Sequence, residues 1–169
     1  MTAESTTSPA PEGPPREVSA GTAGVVAPPP LIYAIPLVAG LLLNHWHPVR
    51  VLPVGAAAPV GIACVLLGLV GLPAILAFRR AQTSPMPWRP TTALVTTGPY
   101  RFTRNPMYVS FTLFYAGVGF WANALWPFVL FPVVIVVMQI GVIAREEAYL
   151  ERVFGEEYRA YRRRVRRWL

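Results

Sequence analysis

A chain of 169 residues that is 54% hydrophobic and only 14% charged carries more apolar surface than one soluble domain can bury, which argues against an ordinary water-soluble globule. Its net charge of +7 comes from arginine against glutamate, with no lysine and no aspartate. Nucleic-acid binders spread basic residues over a soluble face; here they collect in two short segments beside apolar runs, so an anionic membrane surface is the better partner and nucleic acid is not expected.

Residues 1–30 hold seven prolines among Ser, Thr, Glu and Gly without apolar periodicity, and are expected to form a disordered tail. The first residues lack the basic start and early apolar core of a cleaved signal peptide, so insertion is expected to rely on the spans themselves.

Four apolar runs follow, at Leu31–Trp46, Ala57–Phe78, Pro106–Ala122 and Ala124–Ile143. In the second, Ala57/Gly61 and Cys64/Gly68 are spaced four apart, a pattern that lets membrane helices approach closely. The lone Cys64 has no intrachain disulfide partner and reads as a small packing residue. Only the neighbourhood of Asn123 separates the third and fourth runs, which predicts a tight helical hairpin with Pro127 and Pro132 tolerated as kinks.

The connection from Arg79 to Arg104 holds Arg79, Arg80, Arg89, Arg101 and Arg104 and no acidic residue, and a second arginine group follows Ile143. The positive-inside rule then predicts a multi-pass protein with both termini in the cytoplasm. In Ala144–Leu169 the residues Leu150, Phe154, Tyr158, Tyr161, Val165 and Trp168 recur every three or four positions, the pattern of an amphipathic helix lying on the inner leaflet, with a break expected at Gly155. The fold expected is all-α: an integral-membrane bundle of about four transmembrane helices with a C-terminal amphipathic interfacial helix.

The polar residues gather at one predicted face. Asn105 is a good N-cap and Pro106 a good first helical residue, so a helix is expected to start there with its free N–H groups beside Arg104, a setting suited to a carboxylate or phosphate. An ordinary span start with headgroup-anchoring arginines explains the same residues. Glu146 and Glu147 stand directly after an apolar span, which anchoring does not explain. His45 and His47 lack further metal-ligand neighbours, so no metal is expected; the absence of Asp removes Asp-containing triads, and no G-x-G-x-x-G occurs. What remains is a cluster of Tyr100, Arg104, Asn105, Tyr108, Arg145, Glu146 and Glu147 able to receive a zwitterion.

The run Leu94-Val95-Thr96-Thr97-Gly98-Pro99-Tyr100 followed by Arg104-Asn105-Pro106-Met107-Tyr108 resembles the cofactor motif of the isoprenylcysteine carboxyl methyltransferases, which are related to phospholipid and thiol membrane methyltransferases. Glu146-Glu147-x-x-Leu150 with Phe154-Gly155-Glu156-Glu157-Tyr158 and Tyr161 is similar to that family's C-terminal signature. The resemblance covers about residues 80–169, within a membrane methyltransferase domain over 31–169. It implies methyl transfer from S-adenosyl-L-methionine to a lipophilic acceptor at the cytoplasmic membrane face, a carboxylate before a small thiol or a phospholipid amine. It also implies that Thr92, Ala93, Leu94, Val95, Tyr100, Asn105, Pro106, Met107 and Tyr108 line the cofactor pocket and that Glu146 faces the sulfonium. Family members often carry His where Asn105 stands, and Asn cannot titrate, so no acid–base role is expected there. Arg104 is assigned to the cofactor carboxylate and Arg145 to the acceptor. A non-catalytic membrane anchor, and an NADPH-dependent enzyme similar to the sterol reductases, are the competing readings; cofactor binding separates them.

Overall fold

The computed structural model describes residues 21–169. These residues form seven α-helices with one 3-10 turn and one π turn: α1 Pro29–Trp46, α2 Val54–Gly68, α3 Gly71–Arg80, the 3-10 turn Gly98–Arg101, α4 Pro106–Trp121, α5 Leu125–Val137, the π turn Met138–Ile143, α6 Ala144–Phe154 and α7 Glu156–Arg164. Among the described residues there is no strand, only an isolated parallel bridge between Thr103 and Arg166. The all-helical fold expected is the one found.

Among the described residues three stretches are long and apolar enough to cross a membrane: Pro29–Trp46, Val54–Arg80 and Leu125–Phe154. The remaining apolar helix, α4, has 16 residues and so extends about 24 Å, less than the hydrocarbon thickness of a bilayer. Its position makes up for its length, because α2, α1, α3 and α5 all rest against it. Close approach of α2 and α4 depends on glycine. A Cβ on Gly61 would sit 2.6 Å from the Trp121 nitrogen, and one on Gly117 would sit 3.0 Å from the Gly61 oxygen.

The second run is not one uninterrupted helix. Between α2 and α3 the chain tightens at Leu69 and Val70, where the backbone bonds reach back only three residues. The Ser110 hydroxyl of α4 donates to the Gly68 carbonyl, and a Cβ on Gly71 would meet that same hydroxyl at 2.6 Å. A side chain inserted between two glycines is a recognised cause of such a break.

The hairpin between α4 and α5 forms at Asn123, which takes the left-handed conformation at φ 49°. Its side chain accepts bonds from the Val51 and Leu52 nitrogens and donates to the Leu52 oxygen, so the turn also holds the α1–α2 connection. Of the tail expected over residues 1–30, residues 1–20 lie outside the described residues. Residues 21–28 carry no helix but are fastened to the bundle: Ala23 N–H donates to the Pro87 oxygen, and Val26 N–H to Gly141.

The apolar core is built around Tyr33, Tyr115, Met138, Val142 and Ile143, with Trp168 of the C-terminal tail against it. A smaller cluster of Ala74, Ala77, Val95 and Tyr100 joins α3 to the long connection before α4. That second cluster is the floor on which the polar residues are assembled.

Candidate functional site

Gly98, at φ +61°, turns the chain into the 3-10 turn and delivers Tyr100 edge-on to Phe78 of α3, with ring centroids 5.4 Å apart. Tyr161 of α7 holds this turn from above, its hydroxyl donating to the Tyr100 carbonyl at 2.8 Å. The chain then runs beside the C-terminal tail. Arg104 N–H donates to the Arg166 oxygen, the Thr103 hydroxyl to the Arg167 oxygen at 3.0 Å, and the Asn105 amide to that same oxygen at 2.9 Å. Helix α4 starts at Pro106, as its sequence predicts, but Asn105 makes no side-chain cap, because its amide is turned to the tail instead.

From the opposite side comes α6. The π turn before it fits an extra residue into the helix, which re-aims each following side chain by about 100°. Glu146 and Glu147 thereby meet the α4 corner. The Tyr108 hydroxyl donates to Glu146 Oε1 at 2.6 Å, and Arg104 Nη2 meets Glu147 Oε1 at 2.7 Å. The arginine-asparagine-proline corner and the glutamate pair therefore share one end of the bundle and touch each other directly.

The two glutamates have different partners. Glu147 is buried and held by two guanidiniums: Arg104 through Nε and Nη2, and Arg167 through Nε at 3.0 Å and through Nη2. Among the described residues no arginine forms an ion pair with Glu146, whose bond comes from neutral Tyr108. Arg104 Nη1 also donates to the carbonyls of Arg162 and Val165 at 3.1 and 2.8 Å, stitching the end of α7 to the corner.

Between these walls lies a cavity partly open to solvent, its empty space of about 790 Å³ including the solvent at its mouth. Of the site residues named from the sequence, Ala93, Leu94, Val95, Tyr100, Arg104, Asn105, Met107, Tyr108 and Glu146 line it. Three expected site residues do not. Thr92 N–H is bonded to the Thr83 hydroxyl, Pro106 is buried at the helix start, and Arg145 is exposed on the outer face of α6, donating to the Gly24 carbonyl at 2.8 Å. Arg145 follows the π turn one position before Glu146, so it points off the face that Glu146 occupies.

Sequence reasoning missed Tyr149, Tyr158 and Tyr161, Ala23 of the N-terminal segment, and Ser84–Pro87 in the loop. The tyrosine signal was visible in the C-terminal stripe but assigned to lipid. In the structure Tyr158 and Tyr161 are buried against the protein, so α7 roofs the cavity with its apolar face. The Tyr149 hydroxyl accepts from Thr91 N–H and fixes the loop wall. Arg167, which makes Glu147 a structural group, had no signal beyond belonging to an arginine run.

Two polar groups of the cavity wall stand out by their partners. The Tyr100 hydroxyl, in a side chain 5% exposed, has no hydrogen-bond partner, whereas buried polar atoms normally find one. Burial holds that phenol far above its ordinary range, so it remains a proton donor. The second feature is Glu146, a carboxylate with no cation beside it. Among the described residues no group of His, Cys, Asp and Glu could hold a metal ion.

A family model described as phospholipid methyltransferase matches residues 57–157. An uncharacterized protein of Haemophilus influenzae is 70% identical over 27 residues, an alignment covering 16% of this chain and 43% of that protein. This chain thus spans under half the length of that relative. No solved structure matches.

Proposed function

The chain belongs to the phospholipid methyltransferase family, and from that premise we propose that it transfers a methyl group from S-adenosyl-L-methionine to a lipophilic acceptor at the cytoplasmic face of a membrane. The observation that carries this reading is the cavity wall itself: a carboxylate without a cation and a buried phenol without an acceptor face the same space. Bound there, the cofactor would supply an electrophilic methyl group on a positively charged sulfur.

The donor set fits that group. Glu146 supplies the negative charge, and Tyr108 holds its carboxylate in place through the 2.6 Å bond. Tyr100 would donate one hydrogen bond from the floor, while Met107, Leu94 and Val95 contribute apolar wall. The α7 roof limits the water around these groups, and a bound cofactor would displace more of it, which strengthens the attraction between Glu146 and a cation. Holding cofactor and acceptor in line contributes most of the rest. Arg104 acts at one remove: its contacts to Glu147 and the tail carbonyls fix the corner from which Asn105 and Tyr108 project.

The acceptor is argued from the cations. A carboxylate acceptor, the first expectation from the resemblance, needs a free positive group beside it. Arg104 is the arginine lining the cavity and is engaged with Glu147; Arg145 lies outside. A phospholipid amine needs no such partner once its ammonium form has released a proton to solvent, and it agrees with the family. Binding measured on detergent-solubilised protein tests the core of the proposal. The parent is expected to bind S-adenosyl-L-methionine and not NADPH, and Glu146→Gln to lose most of that affinity. A parent that binds neither would support a non-catalytic anchor, and one that binds NADPH a reductase. Labelled-methyl transfer to vesicles containing an ethanolamine phospholipid, set beside a prenylated cysteine, decides the acceptor. A base-labile methyl ester as the sole product would return it to a carboxylate.

A further inference from the structure

We propose that Arg167, acting through Glu147 and Arg104, sets how strongly the site distinguishes a positively charged sulfonium cofactor from the neutral thioether left once the methyl is gone. This rests on the reading of the cavity as an S-adenosyl-L-methionine site. Glu146 and Glu147 are adjacent and both line the cavity, while Arg104 and Arg167 close on Glu147 alone. With Glu146 ionised, the form a bound cation favours, the four charges cancel as a group, so the field that cation meets is weaker than Glu146 alone would produce. Arg167 reaches this cluster from the C-terminal tail, with its side chain 30% exposed, and its guanidinium does not line the cavity.

What anchors the tail is separate from what charges the cluster. The Arg167 backbone carbonyl receives the Thr103 hydroxyl and the Asn105 amide, and Trp168 Nε1 donates to Gln139. Replacing the guanidinium leaves these bonds available. Arg167→Gln should therefore keep the tail in place, leave Glu147 paired with Arg104, and make the cluster one unit more negative. A sulfonium responds to that change and a thioether does not. Methyl transfer turns one into the other, so the same charge governs how readily the spent cofactor is displaced by fresh cofactor.

The experiment compares affinities for S-adenosyl-L-methionine and S-adenosyl-L-homocysteine in the full chain, solubilised in detergent, with ligand-free thermal melting as the structural control. Arg167→Gln is expected to raise the ratio of the two affinities in favour of the sulfonium by about three- to tenfold at low salt, the size of one partly screened charge within the site. Arg167→Lys should keep the parent ratio, and so should Arg166→Gln, whose exposed side chain forms no ion pair among the described residues. A ratio unchanged in Arg167→Gln, or both affinities falling together, would overturn the proposal and leave Arg167 a purely structural clamp. Should the parent bind neither compound, the cofactor reading fails instead, and the two failures are distinct.

Discussion

Glu146 and Glu147 are neighbours in sequence and opposites in partnership, and their substitutions should separate accordingly. Glu147→Gln leaves the largely buried Arg104 guanidinium beside the partly exposed one of Arg167 without an anion, and breaking a buried pair of this kind costs roughly 3 kcal/mol, less where water reaches it. Its melting temperature in detergent is expected to fall by several degrees, whereas Glu146→Gln, which keeps a partner for Tyr108, should melt near the parent while losing cofactor affinity. Tyr100→Phe offers a sharper contrast. It deletes a buried hydroxyl that has no partner in the ligand-free protein, so stability should hold or rise by about 1 kcal/mol. Cofactor affinity should nevertheless drop severalfold; unchanged affinity would remove Tyr100 from the binding groups. Much of this site was legible as a list, since Tyr100, Asn105, Tyr108 and Glu146 all reach one cavity. Their division of labour was not. Nothing in residues 103–105 announces that their side chains will be claimed by backbone carbonyls sixty residues away, so the sequence does not show that Arg104 and Asn105, which line the cavity, also hold the tail.

At the scale of elements, the close contact of α2 with α4 is the feature most exposed to a single substitution. Gly61→Val would drive its side chain into the Trp121 and Gly117 backbone, which cannot withdraw as a flexible side chain could. Loss of folded protein on size-exclusion chromatography in detergent is expected. Gly55→Val, where a Cβ meets nothing within 4 Å, is the control that should behave as the parent. Apolar runs, the four-residue glycine spacing, the Asn123 hairpin and the Gly155 break could all be read in advance, because each depends on local chemistry. The break between α2 and α3 could not, since Ser110 arrives from another helix. The C-terminal stripe shows the same limit. Periodicity reveals that a helix has an apolar face but not whether lipid or protein covers it, and here the tyrosines of α7 meet the cavity roof.

On the scale of the whole molecule, the positive charge and the cavity coincide. The loop bearing Arg79 to Arg104 and the tail bearing Arg162 to Arg167 are bonded to each other, so both arginine groups lie at one end of the bundle. The opposite end holds His45, His47 and the Asn123 turn, with no arginine beyond Arg50 among the described residues. A cytosolic cofactor could be reached only if the arginine-rich end faces the cytoplasm, which is also the side that positive residues favour in insertion. The two arguments are independent, and one experiment tests both. With Cys64 replaced by serine, single cysteines at Arg89→Cys, Arg163→Cys and His47→Cys can be labelled by a membrane-impermeant maleimide, since all three side chains are exposed. In intact cells His47→Cys should react, while Arg89→Cys and Arg163→Cys should react only after the membrane is permeabilised. If the cysteines at positions 89 and 163 reacted from opposite sides, the shared end would be refuted; if both reacted in intact cells, the cavity would face away from its cofactor, and the methyltransferase mechanism would fall with the topology.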